Sequence, residues 1–279
     1  MFDLSVAFRS EAATRLTLFG IVFALMAIAE AALPRRTRSF SRWSRWPSNI
    51  GISVLNNVVL EALIPLTAVA IAILAHHRGL GLLNFLKVPH TIALVFAVLA
   101  LDLAIYLQHL MFHWSPALWR LHRMHHADLD FDVTTGLRFH PGEIVISMLI
   151  KMGVVLAIGA SAGAVLTFEV LLNATSMFNH GNLALPQGTD RALRWILVTP
   201  DMHRVHHSIV RAETNSNFGF NVPWWDWIMR TYRAQPAAGH IAMTIGLDQF
   251  RAPEELGLLS MLSQPLRGEV GNYPIASRG

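Results

Sequence analysis

Residues 91–126 read TIALVFAVLALDLAIYLQHLMFHWSPALWRLHRMHH. Thr91 to Phe112 is an apolar run close to the roughly 20 residues that a bilayer-crossing helix needs. Its end changes character. His109 and His113 stand four apart, and His122, His125 and His126 follow as HxxHH. On a helix, positions i, i+3 and i+4 share a face, so each cluster turns imidazoles to one side. The pattern returns at His203, His206 and His207. An apolar helix running into a histidine-bearing face links the fold to a site.

Working outward, the flanks read as further membrane helices. Leu16 to Leu33 is a first apolar run. A signal peptide cleaved at Ala29-Glu30-Ala31 is the competing reading. The residues before it are nearly neutral (Asp3, Arg9, Glu11, Arg15), whereas Arg35, Arg36, Arg38, Arg42 and Arg45 follow it. That asymmetry predicts a cytoplasmic position for residues 34–50. Ile52 to Ala75 is a second run, with Pro65 tolerable as a kink. Downstream, Ile144 to Phe178 is short for two full spans. The small-residue break at Gly159-Ala160-Ser161-Ala162-Gly163 predicts a hairpin that enters and leaves by one face. Every histidine-rich segment then falls on the cytoplasmic side.

The expected fold is an all-α integral membrane protein. It has about three transmembrane helices plus a helical hairpin, and a cytoplasmic helical cap carrying a His-rich di-metal site. Three regions are expected: a transmembrane region over 1–90 with helices at about 16–33 and 52–75, a histidine-bearing domain over 91–235, and a loosely organised cytoplasmic tail over 236–279. Composition agrees. Hydrophobic residues make up 53% and charged ones 14%, against about 25% charged in soluble domains. With no cysteine, disulfides, thiolate metal sites and iron–sulfur clusters are excluded. The net charge of +4 does not indicate nucleic acid, because the arginines flank apolar segments.

His109, His113, His122, His125, His126, His203, His206 and His207 are too many ligands for one tetrahedral zinc and suit two metals. Imidazole alone leaves Zn, Cu, Fe and Ni open. No HExxH is present, since Arg123 and Arg204 occupy the second position of the HxxHH clusters. A basic headgroup-facing surface would account for the arginines but not for the repeated spacing. His180, where the hairpin ends, is a ninth candidate ligand. His140, in Arg138-Phe139-His140-Pro141-Gly142-Glu143, resembles a haem-binding HPGG loop but lacks the final glycine. It is expected as an outer ligand or a supporting group. Glu143, Asp201 and Glu213 are the first candidates for carboxylates that orient the rings, with Asp128, Asp132 and Asp226 behind them. Asp102 and Tyr106 are expected to be structural. His76, His77 and His90 read as headgroup-facing, His240 as a surface residue, and Trp224-Trp225-Asp226-Trp227 as an interfacial belt or substrate mouth.

Together these motifs resemble the fatty acid hydroxylase / sterol desaturase superfamily across roughly residues 98–233. The likeness runs from Asp102 and Tyr106 through the clusters at 109–113 and 122–126 and the segment 138–143. It continues with His180-Gly181-Asn182 and the cluster at 203–207, and ends with Asn217-Phe218-Gly219, Trp225-Asp226 and Thr231-Tyr232. Two positions depart from the family pattern: Leu110, often Arg, and Arg230, usually Gly. The resemblance implies an oxidoreductase in which these histidines hold two Fe ions. With O2 as co-substrate it would hydroxylate or desaturate a membrane lipid of sterol, fatty acyl or isoprenoid type. The chain carries no flavin or nicotinamide fingerprint, so electrons would come from a ferredoxin or cytochrome b5-like protein. A bacterial inner membrane is the expected location. The competing functions are a membrane zinc lipid hydrolase and a non-catalytic lipid-binding relative. A metal transporter would carry its histidines along the spans.

Overall fold

The computed structural model describes residues 4–277, with side chains from Ala13 onward. Asp3 and the side chains of Arg9 and Glu11, used above to read the N-terminal charge, lie outside the described residues. The helix expected at 16–33 is the later part of α1 (Leu4–Ala32).

The helix expected at 52–75 is two helices. α2 (Arg42–Leu63) starts ten residues earlier, where Ser41 Oγ accepts from the Ser44 amide at 3.2 Å. Its first turns are polar but buried, with Arg45 and Asn49 inside the protein. Apolar patterning alone therefore misses them. Pro65 then breaks the helix rather than kinking it. Proline lacks an N–H and disfavours the α region in the residue before it, and Ile64 is at φ −131°, ψ 80°. Thr67 restarts the chain as α3 (Ala68–His77), its Oγ1 accepting from the Ala70 amide at 3.1 Å.

A short α4 (Leu82–Phe85) leads to α5 (His90–Trp114), and Pro116 in the first helical turn opens α6 (Pro116–His126). The hairpin is α7 (Pro141–Ile158) and α8 (Ala162–Asn179). Gly159 turns the chain at φ 70°, and Ser161 Oγ caps α8 at the Ala164 amide, 3.2 Å. Gly81 lies against this turn so closely that a Cβ there would stand 2.2 Å from the Gly159 nitrogen. α5 packs on both arms of the hairpin, α3 does likewise, and α1 lies along α8. Ala72, Leu101, Val155, Ala164 and Phe168 form the core between them.

Among the described residues, four stretches are long and apolar enough to cross a membrane: Ala13–Ala32, Arg42–Phe85, His90–Trp114 and Pro141–Ile158. Among the described residues there are no strands, only isolated bridges at Pro34–Leu183 and Ser208–Ile245. The chain is an all-α integral membrane protein.

One end of the bundle carries the cap, formed by α6, the 127–140 segment and the short helices α9 (Gln187–Leu193), α10 (Pro200–His206), α11 (Arg211–Thr214), α12 (Trp224–Ile228), α13 (Gly239–Ala242) and α14 (Leu258–Ser263). The arginines that follow α1 are fasteners for this cap. Arg35 pairs with Asp201, Arg36 donates to the carbonyls of His240 and Met243, and Arg45 bridges Asp128 and Asp132. The tail is not loose. Tyr273 is buried, stacks on Trp119 at 5.7 Å and donates its hydroxyl to the Ile209 carbonyl at 3.0 Å. Arg123 donates to the carbonyls of Gln264, Arg267 and Glu269. These side-chain-to-backbone bonds leave no periodic trace in sequence, so composition alone does not reveal the packing of residues 236–277.

Candidate metal centre

Among the described residues, nine buried histidines fall into two groups, and within each group the candidate ligand atoms lie within 4.8 Å of one another. The first holds His109 and His113 from α5, His122 and His126 from α6, and His206 from α10. The second holds His125, His180, His203 and His207. Helical geometry explains the division. His109 and His113 are one turn apart, as are His122 and His126, so each pair faces one centre. His125 points from α6 to the other group, and α10 sends His203 and His206 to opposite groups. Each HxxHH is thus shared between two centres.

The hydrogen bonds assign the protons. Nδ1 of His109, His125, His180 and His206 faces the backbone carbonyls of Phe218, Arg138, Ser176 and Ser216 at 2.8, 3.2, 2.7 and 2.7 Å. A carbonyl only accepts, so Nδ1 carries the proton and Nε2 carries the lone pair. Glu143 Oε1 does the same for His122 at 2.7 Å, and Asn215 Oδ1 for His113 at 3.1 Å. The Nε2 atoms then face one another. In the first group His109 is 3.1 Å from His122 and 3.0 Å from His206, and His113 is 3.1 Å from His126. In the second, His180 is 3.2 Å from His125 and 3.1 Å from His203. Where both rings carry the proton on Nδ1, as for His109 with His122 and His206 and for His125 with His180, lone pair meets lone pair, which is not a hydrogen bond. Buried without a partner it is unfavourable, and a shared cation removes the conflict. Both ring nitrogens of buried His207 also lack a partner. The residues present therefore fit two metal ions.

Charge state agrees. Burial, reinforced by neighbouring imidazoles, holds His125, His126, His203, His206 and His207 well below the ordinary histidine value. Burial also brings His180 down to about 4. Neutral rings are what a metal needs.

Of the expected supporting groups, Glu143 alone touches a ring in the two groups. Asp226 acts at one remove. Its carboxylate accepts from the amides of Phe218 and Gly219 at 2.8 and 2.9 Å, fixing the carbonyl that holds His109. Asp128 and Asp132 are clamped by Arg45. Burial alone would raise Asp128, but Arg45 and Arg138 bring it down to about 2. Asp201 is occupied by Arg35 and Arg204, and Glu213 accepts from the Ala237 amide at 2.6 Å. Both stand outside the two groups, because nearness in sequence to a histidine cluster does not set which way an acid points. His140 is outside as well: it caps α7, Nδ1 accepting from the Gly142 amide at 3.1 Å. His240, expected at the surface, is buried, 3.6 Å from Asp201. Asp102 accepts from Trp225 Nε1 at 2.8 Å, and Tyr106 bonds Thr231 at 2.8 Å. Sequence reasoning missed Asn215 and every backbone acceptor. It also missed Glu30, which accepts from the amides of Val133 and Asn182. A carboxylate inside a span was the available signal for Glu30.

A cavity of about 800 Å³ reaches the first group at His109 and His122 and runs between α1, α2, α5, α7 and α8. Ile105, Phe112, Leu137 and Phe220 line it near the histidines.

The fatty acid hydroxylase family model matches residues 94–231. The chain is 28% identical over 177 residues to an ornithine lipid hydroxylase of Rhizobium tropici, covering 63% of this chain and 51% of that protein. It is 30% identical over 144 residues to an alkylglycerol monooxygenase of Homo sapiens, covering 50% of this chain and 30% of that protein. The chain therefore spans about half the length of the first relative and under a third of the second. No solved structure matches it. The clustered histidines, the membrane bundle and these matches agree, and the chain belongs to the fatty acid hydroxylase superfamily.

Proposed function

We propose that this chain hydroxylates a membrane lipid with O2, using two iron ions held by His109, His113, His122, His126 and His206 at one position and by His125, His180, His203 and His207 at the other. The observation that carries this reading is the pair of adjacent imidazole groups, with six rings held so that Nε2 offers its lone pair inward, at the end of an apolar-lined cavity between membrane helices. Iron, when bound, supplies O2 chemistry that no protein side chain has.

The chain's own residues do the rest. Glu143 and Asn215 fix the tautomers of His122 and His113, and the carbonyls of Phe218, Arg138, Ser176 and Ser216 fix four others. Phe112, Phe220 and Ile105 hold the lipid against His109 and His122 and keep water away. Hydroxylation is preferred to desaturation because both relatives carry oxygen-inserting names. Those names also describe lipids with polar headgroups, which favours an amphiphile as substrate. One oxygen atom enters a C–H bond and the other leaves as water, so two electrons and two protons must be delivered. A ferredoxin or cytochrome b5-like protein docking on the cap is the proposed donor. We further propose a bacterial inner membrane with the cap on its cytoplasmic face, on the strength of the arginine run after α1.

Metal analysis of detergent-purified protein beside His206→Ala tests the reading. About two irons per chain are expected in the parent, with the first position depleted in the variant. Turnover of ornithine lipid or alkylglycerol with O2 and reductant should disappear with it. Bound zinc together with O2-independent lipid hydrolysis would overturn the proposal. So would protein that binds lipid and no metal.

A further inference from the structure

The cavity extends far from the histidines along one face of α7. Glu143, Ser147 and Lys151 line it in succession, and Lys151 lies eight residues beyond Glu143, about 12 Å of helix rise. The facing wall is α8, with Glu169, Asn173 and Ser176. Lys151 Nζ donates to Glu169 Oε1 at 2.6 Å, and Arg15 of α1 pairs with Glu169 Oε2. These charges stand well inside the apolar hairpin.

Ionisable groups inside membrane helices are costly and mark function. Joining α7 to α8 does not require them. Val155, Val165 and Phe168 already pack that region, and apolar residues can replace buried ion pairs without loss of stability. What distinguishes this pair is its place on the wall of the same cavity that reaches His109 and His122. An ammonium has three N–H donors, and one is given to Glu169. Glu169 is shared between Lys151 and Arg15, and the remaining ammonium N–H groups suit an oxygen acceptor; an acyl carbonyl is the acceptor a lipid carries next to its apolar chain.

We propose that the Lys151–Glu169 pair binds the acyl carbonyl oxygen, of ester or amide type, of the lipid that occupies this cavity. The inference rests on the lipid-hydroxylase reading. Lys151 donates to the carbonyl, and Glu169 holds the ammonium in place. Anchored there, the substrate presents to His109 and His122 a carbon farther along its chain, on the scale of the roughly 12 Å of helix rise between Lys151 and Glu143. Lys151 is then a positioning residue that sets which carbon is oxidised.

Equilibrium binding of radiolabelled methyl laurate, laurate and dodecane to the full chain in detergent tests this, without reductant so that nothing turns over. Lys151→Met should weaken methyl laurate by about tenfold, the worth of one charge-assisted hydrogen bond, and leave dodecane unchanged. Lys151→Met leaves Glu169 paired with Arg15, and the double variant Lys151→Met/Glu169→Leu, which removes both members of the Lys151–Glu169 pair, is measured beside it and should behave alike. Equal weakening of dodecane, no change in methyl laurate, loss confined to laurate, or no methyl laurate binding by the parent would each overturn the assignment. Failure of the hydroxylase reading appears separately, as absent turnover by iron-loaded protein whose binding pattern is intact.

Discussion

Asn215 orients His113 through Oδ1, and its own Nδ2 donates to the Tyr273 carbonyl at 2.7 Å. That second bond fixes which way the amide faces. Asn215→Leu should leave the fold intact and weaken metal binding at the first position roughly 10- to 100-fold, the usual effect of losing a ligand's outer partner. Competition with a chelator measures it, and unchanged affinity would show that the ring is aimed by packing alone. At this scale the sequence was legible for the rings and silent about their partners. HxxxH and HxxHH state a helical spacing, whereas Asn215 and the Phe218 carbonyl reach the site only through chain folding. Arg230 shows a different legible sign. It takes φ 59°, a left-handed conformation that glycine adopts freely and arginine does not. That accounts for the glycine expected there from the family pattern.

The hairpin and the Gly81 turn join the elements at the end of the bundle remote from the cap. A Cβ on Gly81 would meet the Gly159 backbone at 2.2 Å, whereas one on Gly20 in α1 meets nothing within 4 Å. Gly81→Ala should therefore lower the unfolding midpoint in detergent markedly, and Gly20→Ala should leave it unchanged or raise it slightly through helix propensity. Equal midpoints would mean that the turn is not packed as described. The hairpin was readable because glycine and serine punctuate it. The division of residues 52–75 was not, because proline is compatible with both a kink and a break. The free choice was settled by Thr67, whose hydroxyl restarts the helix. Likewise the buried first turns of α2 look polar in sequence and become interior only once Asp128 and Asp132 are brought to Arg45.

For the molecule as a whole, the cap depends on rings kept neutral. His180 drops from 6.5 to about 4 in the folded chain. In the metal-free protein the unfolded state therefore takes up protons first as pH falls below 6.5. Stability rises with pH wherever the unfolded state binds more protons, so it is complete above 6.5 and lost progressively towards 4. Asp128 adds a further loss lower down, between 3.8 and about 2. Unfolding of chelated protein at pH 7.5 and pH 5 should show the drop. Restoring the metal should raise the midpoint at pH 7.5 by mass action, and a flat profile would contradict buried neutral rings. The order of the histidines along the chain has a consequence in time. Four of the five rings of the first group lie between residues 109 and 126, while three of the four in the second come at 180 or later. A ribosome therefore releases most of the first centre before the hairpin exists, and almost none of the second. The two positions are born at different moments, and His206, the last ring of the first group, emerges immediately before His207 completes the second.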